Sequence, residues 1–116
     1  MLREEPAAVR GVLRAFNAGL AAVVKDIEAG IDSVMRRASW SSRAVEKLRL
    51  QRTLDIEMAG AEGRRIGIGD VDDARLTRSI AVLAETNKLP RVPAARELFT
   101  RDYLPPLADR VTSLAR

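Results

Sequence analysis

Between Asp70 and Pro106 the chain carries a helix start, an apolar stripe of helical period and a helix stop. Four of its five prolines fall in the same run. No strand fits through it. The Asp70 carboxylate is placed to accept the backbone N–H of Asp73, the bond of an N-cap. Asp72 and Asp73 add negative charge to the first turn, against the positive end of the helix dipole. Leu76, Ile80 and Leu83 follow at i, i+4 and i+7, one face of a helix. Asn87 suits the left-handed position just past the end, and Pro90 cannot continue a helix. The spacing predicts a helix over 71–86, begun by Asp70 and closed by Asn87.

Pro90-Arg91-Val92-Pro93 is extended, because each proline pushes its predecessor out of the α region. Pro93 suits the first position of a short helix over 94–98. Leu98-Phe99 and Tyr103-Leu104-Pro105-Pro106 then form an apolar clamp that must pack on something.

Upstream, Glu4-Glu5-Pro6 opens a helix over 6–25. Its stripe is Val9, Leu13, Phe16, Leu20 and Val23, and Gly11 and Gly19 suit the close approach of a neighbouring helix. Asp26 caps a second helix over 27–37 with Ile27, Ile31, Val34 and Met35 inward. Ser41 or Ser42 caps a third over 43–58. There Leu50, Leu54 and Met58 make one ladder while Val45 and Ile56 fall elsewhere, so that helix touches neighbours on several sides or lacks one. Gly63, Gly67, Gly69 and Arg64-Arg65 make 59–69 a loop, and 99–116 is a tail. The fold class is therefore all-α, four main amphipathic helices plus short C-terminal ones in a single domain or domain fragment, 1–116.

Composition bounds the chemistry. The chain has no cysteine and no histidine, which removes thiolate sites, the commonest general base and the commonest metal ligand. With no Ser-x-x-Lys arrangement either, nucleophilic catalysis has no machinery, and the expectation is a non-enzyme without cofactor or metal. The net charge of +4 permits nucleic acid. However, Arg36-Arg37, Arg43 with Lys47 and Arg49, and Arg64-Arg65 are scattered among acids, so a solvated face with ion pairs explains them better. Asp70, Asp72 and Asp73 lack the spacing of a calcium loop and read as helix-start residues. Arg64-Arg65 beside three glycines is a weak anion signal without a preceding strand. Trp40, at a helix junction, reads as a packing plug rather than a stacking platform. Ser39, Ser41 and Ser42 read as caps. Met1 to Pro6 lacks the basic-then-apolar pattern of a secretory signal, and no segment is expected to reach the roughly 20 apolar residues of a membrane span.

The order of these pieces resembles the C-terminal end of ABC-importer substrate-binding proteins of the nitrate, sulfonate, taurine and thiamine-pyrimidine type. Arg14-Ala15-Phe16-Asn17-Ala18-Gly19-Leu20 is similar to that family's long helix. Asp26-Ile27-Glu28-Ala29-Gly30-Ile31 is similar to its Asp-Pro-Glu-Ala-Ala-Ile, with Ile27 in place of the proline. Glu46-Lys47-Leu48-Arg49-Leu50 resembles its Glu-Arg-Leu-Arg helix. Gly69-Asp70-Val71-Asp72-Asp73-Ala74-Arg75-Leu76 through Ile80 resembles its Gly-x-Val-Asp-x-x-Arg-Leu-x-x-x-Ile. Phe99 to Pro106 resembles its Phe-x-x-x-Phe-Leu-Pro-Pro, with Tyr103 for the second Phe.

The resemblance implies a partial or truncated solute-binding component of an importer for a small organic or oxyanionic solute. The full proteins are two α/β lobes of roughly 300 residues, a size expected of two domains. This chain aligns with their helical C-terminal third. The implied partners are the remainder of the binding protein and an ABC permease, and the implied location is the periplasm, or the cytoplasm if Met1 is the natural start. No ligand-binding position maps onto the chain, and the family's histidine-consuming enzyme relatives are excluded by composition. The alternative is a stand-alone helical module that binds other proteins or itself, through helices one and three. A basic nucleic-acid-binding domain is a weaker third.

Overall fold

The computed structural model describes residues 4–58 and 60–114, and it is all-helical, with no strand among them. The expectations placed on Met1 to Arg3, on Ala59 and on the last two residues of the tail lie outside the described residues. Six α-helices follow in order: α1 (Pro6–Lys25), α2 (Ile27–Met35), α3 (Arg43–Arg52), α4 (Ala61–Ile66), α5 (Asp73–Thr86) and α6 (Ala95–Leu98). A π-helical turn (Thr53–Met58) continues α3, and a 3₁₀ turn (Leu107–Asp109) interrupts the tail. Consecutive helices pack on each other, α1 on α2, α2 on α3, and α5 on α6.

Local chemistry accounts for the boundaries. Pro6 stands at the first position of α1, where its missing N–H costs nothing. A single residue, Asp26, closes α1 and starts α2, its carboxylate accepting the N–H of Ala29 at 3.0 Å. Ser42 occupies the start of α3 without a side-chain cap bond, while the Ser41 hydroxyl donates to Glu46 instead.

Three segments differ from the sequence expectation. The helix over 43–58 is not uniform: its last six residues are a π turn, which buries Leu54 and leaves Ile56 71% exposed. An extra residue per turn re-aims the side chains beyond it. The loop over 59–69 contains α4, started at Gly60 and ended at Gly67. Glu62 holds α4 to the next helix, its carboxylate accepting from the N–H of Asp72 and from Arg75 at 2.6 Å. The short helix begins at Ala95 rather than Ala94, and Glu97 reaches back to the Ala94 N–H at 2.8 Å while pairing with Arg91 at 2.7 Å. That pair braces the Pro90–Pro93 linker.

The core is thin. Ile31, Leu54, Ile80 and Ala84 are its buried apolar residues. On α5 Ala84 is buried and Leu83 is out, so the inward face runs through Ile80 and Ala84 rather than Leu83. Phe16 of the α1 stripe is 57% exposed and Val34 of α2 is exposed too. The radius of gyration is 17.0 Å, against about 13 Å for a compact domain of this length. The accessible surface is 8428 Å², where a compact monomer of this mass exposes about 6,200 Å².

α1 also corrects the membrane expectation: among the described residues it is long and apolar enough to cross a bilayer by length and composition. Among the described residues Gly11 and Gly19 receive no neighbouring helix, since a Cβ at either would meet nothing within 4 Å beyond the local backbone of α1 itself.

Candidate functional site

The most elaborate polar arrangement is built on Asp70. Its side chain is 6% exposed and faces two guanidinium groups. Arg101 donates its Nε to Oδ1 at 2.8 Å, and Arg110 its Nη1 to Oδ2 at 2.8 Å. Arg101 also reaches the Val71 carbonyl at 2.6 Å and Asp73 at 2.8 Å. Arg110, 11% exposed, further donates to the carbonyls of Pro105 at 2.7 Å and Ile66 at 3.0 Å. The tail is thus pinned to the α4–α5 connection, and the Ile68 N–H donates to the Val111 carbonyl at 2.9 Å alongside.

Gly67 makes room for this. Its φ is +79°, and a Cβ there would stand 2.6 Å from Cβ of Arg110. No other residue fits both demands. Burial pushes the Asp70 carboxyl up, but the Val71 N–H, Arg110 and Arg101 outweigh it and hold it below the ordinary carboxylate range.

Asp70 is therefore not the cap of α5. That role falls to Asp72, whose carboxylate accepts the N–H groups of Ala74 at 3.0 Å and Arg75 at 3.3 Å while pairing with Arg65 at 2.6 Å. The physical reason is distance along the chain: α5 starts at Asp73, and a cap must immediately precede the first helical residue. Asn87 is likewise displaced from its expected role. It sits at φ −91°, its amide donating to the Leu83 carbonyl at 2.8 Å, and Lys88 takes the left-handed conformation at φ 52°. Bonds from Lys88 N–H to Glu85 O and from Leu89 N–H to Ala84 O complete a Schellman end.

The three acids near α5 diverge instead of converging, so they form no cation cage. No cluster of metal-ligating side chains occurs among the described residues. Several of the basic groups singled out in the sequence are paired with acids. Arg43 pairs with Glu28 at 2.7 Å and with Asp32, Lys47 pairs with Glu28, and Arg49 pairs with Glu46 at 2.8 Å. Most of these run between α2 and α3, not along one helix as the spacing suggests. Arg37 folds back onto the Ser33 carbonyl and hydroxyl.

Trp40 is 85% exposed and plugs nothing. The hollows are shallow. One of about 270 Å³ lies between Met58, Ile68 and Leu114, and one of about 340 Å³ lies over Gly67 to Val71. Each is lined by a single arginine, Arg64 in the first and Arg75 in the second, and Arg75 is already paired with Glu62.

The residues that sequence reasoning passed over are Arg101 and Arg110. They lie 31 and 40 positions from Asp70, beyond any local spacing rule. A lone arginine in an apolar Pro/Leu/Val tail was the available signal. Comparison of the chain with protein-family models, with curated proteins and with solved structures finds no match.

Proposed function

We propose that the chain is the C-terminal helical part of a two-lobed solute-binding component of an ABC importer for a small organic or oxyanionic solute. The observation that carries this is the uncovered apolar surface. Val12 and Phe16 on α1, Val45 and Leu48 on α3, and Val82 and Leu83 on α5 all stand in solvent. Helices carry such faces when they are built to cover a sheet or a neighbouring layer. Such a component needs no catalytic group, since it closes two lobes on a ligand and presents the closed form to a permease.

The test is calorimetry of this chain against taurine, alkanesulfonates, nitrate and a thiamine pyrimidine. In a two-lobed binder the ligand sits between domains and is held by both. Half a site leaves polar ligand groups in water, and what remains rarely offsets immobilisation. The expected affinity is weaker than about millimolar, only ~4 kcal/mol. A micromolar constant for any of these solutes overturns the reading. So does a reading frame upstream of Met1 that encodes no strand–helix sequence.

A second reading is a stand-alone helical module that binds itself. The observation favouring it is the open face of α1 at Gly11 and Gly19. Sedimentation at tens of micromolar is expected to show a self-associated species, and a strictly monomeric one counts against it.

A further inference from the structure

Arg110 sits in a socket. Its guanidinium meets the buried Asp70 carboxylate at 2.8 Å and the Ile66 carbonyl at 3.0 Å. Its stem crosses Gly67, where φ is +79° and a Cβ would stand 2.6 Å from Cβ of Arg110. One position on, the Ile68 N–H donates to the Val111 carbonyl at 2.9 Å. Together these groups receive an arginine in extended backbone (φ −88°, ψ 149°) and the peptide unit that follows it. A guanidinium fork shared between a carboxylate and fixed carbonyls selects arginine over lysine.

The segment that fills the socket is organised like a ligand. Arg110 Nε donates to the Pro105 carbonyl at 2.7 Å, and the N–H groups of Asp109 and Arg110 donate to Pro106 and Leu107. The arginine is thus presented by bonds inside residues 105–110, which lowers the cost of ordering it on binding. The packing around the segment is open. A hollow of about 270 Å³ lies between Thr112 to Leu114 and Met58 with Ile68. Another of about 520 Å³ lies between Ala108 to Val111 and the end of α1. Leu107, Ala108, Asp109, Thr112 and Ser113 are exposed.

We propose that the socket is a binding site for this segment as a unit, and that residues 105–114 of a second copy enter it by exchange with the chain's own. This rests on the self-association reading above and gives it a different surface. The complementarity is already displayed within one chain, because a second copy brings the same arginine and the same turn to the same groups. Exchange is reciprocal, each copy giving one tail and receiving another, so the pair has two-fold symmetry. The chain's own tail competes at an effective concentration of about millimolar. Exchange is therefore clearest where one socket has lost its own arginine.

The test uses full-length chains and a synthetic peptide of residues 105–114. Arg110→Ala frees the socket and leaves Asp70 in place. By fluorescence anisotropy the peptide is expected to bind this variant at least tenfold more tightly than wild type. A peptide with lysine in place of the arginine is expected to bind tenfold or more weakly, and adding Asp70→Asn to the chain to abolish binding. Arg110→Lys keeps a cation against Asp70, and it replaces Arg110→Ala if that variant loses the helical circular dichroism of wild type. For the second copy, Arg110→Ala, with an intact socket, is mixed with Asp70→Asn, which has an intact tail. The mixture is expected to sediment with more dimer than either variant alone.

Equal peptide affinity for wild type and the Arg110 variants overturns the site and leaves Arg110 a fixed pin. Peptide binding without a mixed dimer overturns the second copy as the source of the segment. Self-association that is equal in wild type, both variants and their mixture overturns exchange, while the self-association reading stands on another face.

Discussion

At the scale of single residues, Asp70 decides how the C-terminal quarter is held. Its two oxygens are divided between Arg101 and Arg110, and Arg110 is nearly as buried as the carboxylate it meets. Removing the charge by Asp70→Asn strands a buried guanidinium, which costs about 3 kcal/mol. A fall in the urea midpoint of corresponding size is the expected outcome. The pH dependence has a definite sign. The folded-state value of Asp70 lies below its unfolded value. Its contribution is therefore fully present above the ordinary carboxylate value of about 4 and is lost as pH falls through the lowered one. Glu62 is lowered by the Asp72 N–H and Arg75, and Glu28 by Lys47 and Arg43, so they share that direction from the surface. Urea unfolding from pH 7 down to pH 3 is expected to show the wild type losing more stability than Asp70→Asn. Parallel curves would remove Asp70 from the acid transition.

At the scale of elements, α5 carries its determinants one or two positions from where spacing alone puts them. Asp72 provides the cap, so Asp72→Ala is expected to cost about 1 kcal/mol. At the other end Lys88 holds φ 52°, a conformation that burdens a residue with a Cβ by roughly 1–2 kcal/mol. Lys88→Gly relieves that strain but enlarges the unfolded ensemble. The net expectation is a gain of about 0.5–1 kcal/mol, read as a rise of several degrees in the thermal midpoint. A loss on Lys88→Gly would mean that the lysine side chain contributes more than its backbone costs. Gly67 works in the opposite sense, because both its φ and the nearness of Arg110 exclude a side chain.

At the scale of the whole molecule, extension is the governing property. Among the described residues the main helix contacts are between sequence neighbours, and the buried apolar set is small. Trp40, the one tryptophan, reports on this directly. At 85% exposed, its native emission is expected to be that of a water-exposed indole, shifting little when urea unfolds the chain. A blue-shifted native spectrum would show that Trp40 is covered in solution. Dye binding to the native state is expected for the same reason, since apolar patches beyond a few hundred Å² seldom stay free.

Helical identity was legible in the chain itself because it depends on near neighbours: the 4-and-3 recurrence of Val9 to Val23, Pro6 at a helix start, Asp26 between two stripes. The all-helical class and the positions of α1, α2 and α5 follow from those residues. What depends on distant residues was not legible. Asp70 resembles a cap by spacing, yet the arginines that claim it stand 31 and 40 positions away. The glycines of 59–69 look like a loop, yet Glu62 reaches across to the start of α5 and holds a helical turn between them. Trp40 and Phe16 look like core, but burial belongs to the surface opposite, and no element among the described residues supplies one there. Local bonds are decided within a few residues along the backbone; the partner of a buried charge and the cover over an apolar face are decided only when the chain has folded back on itself.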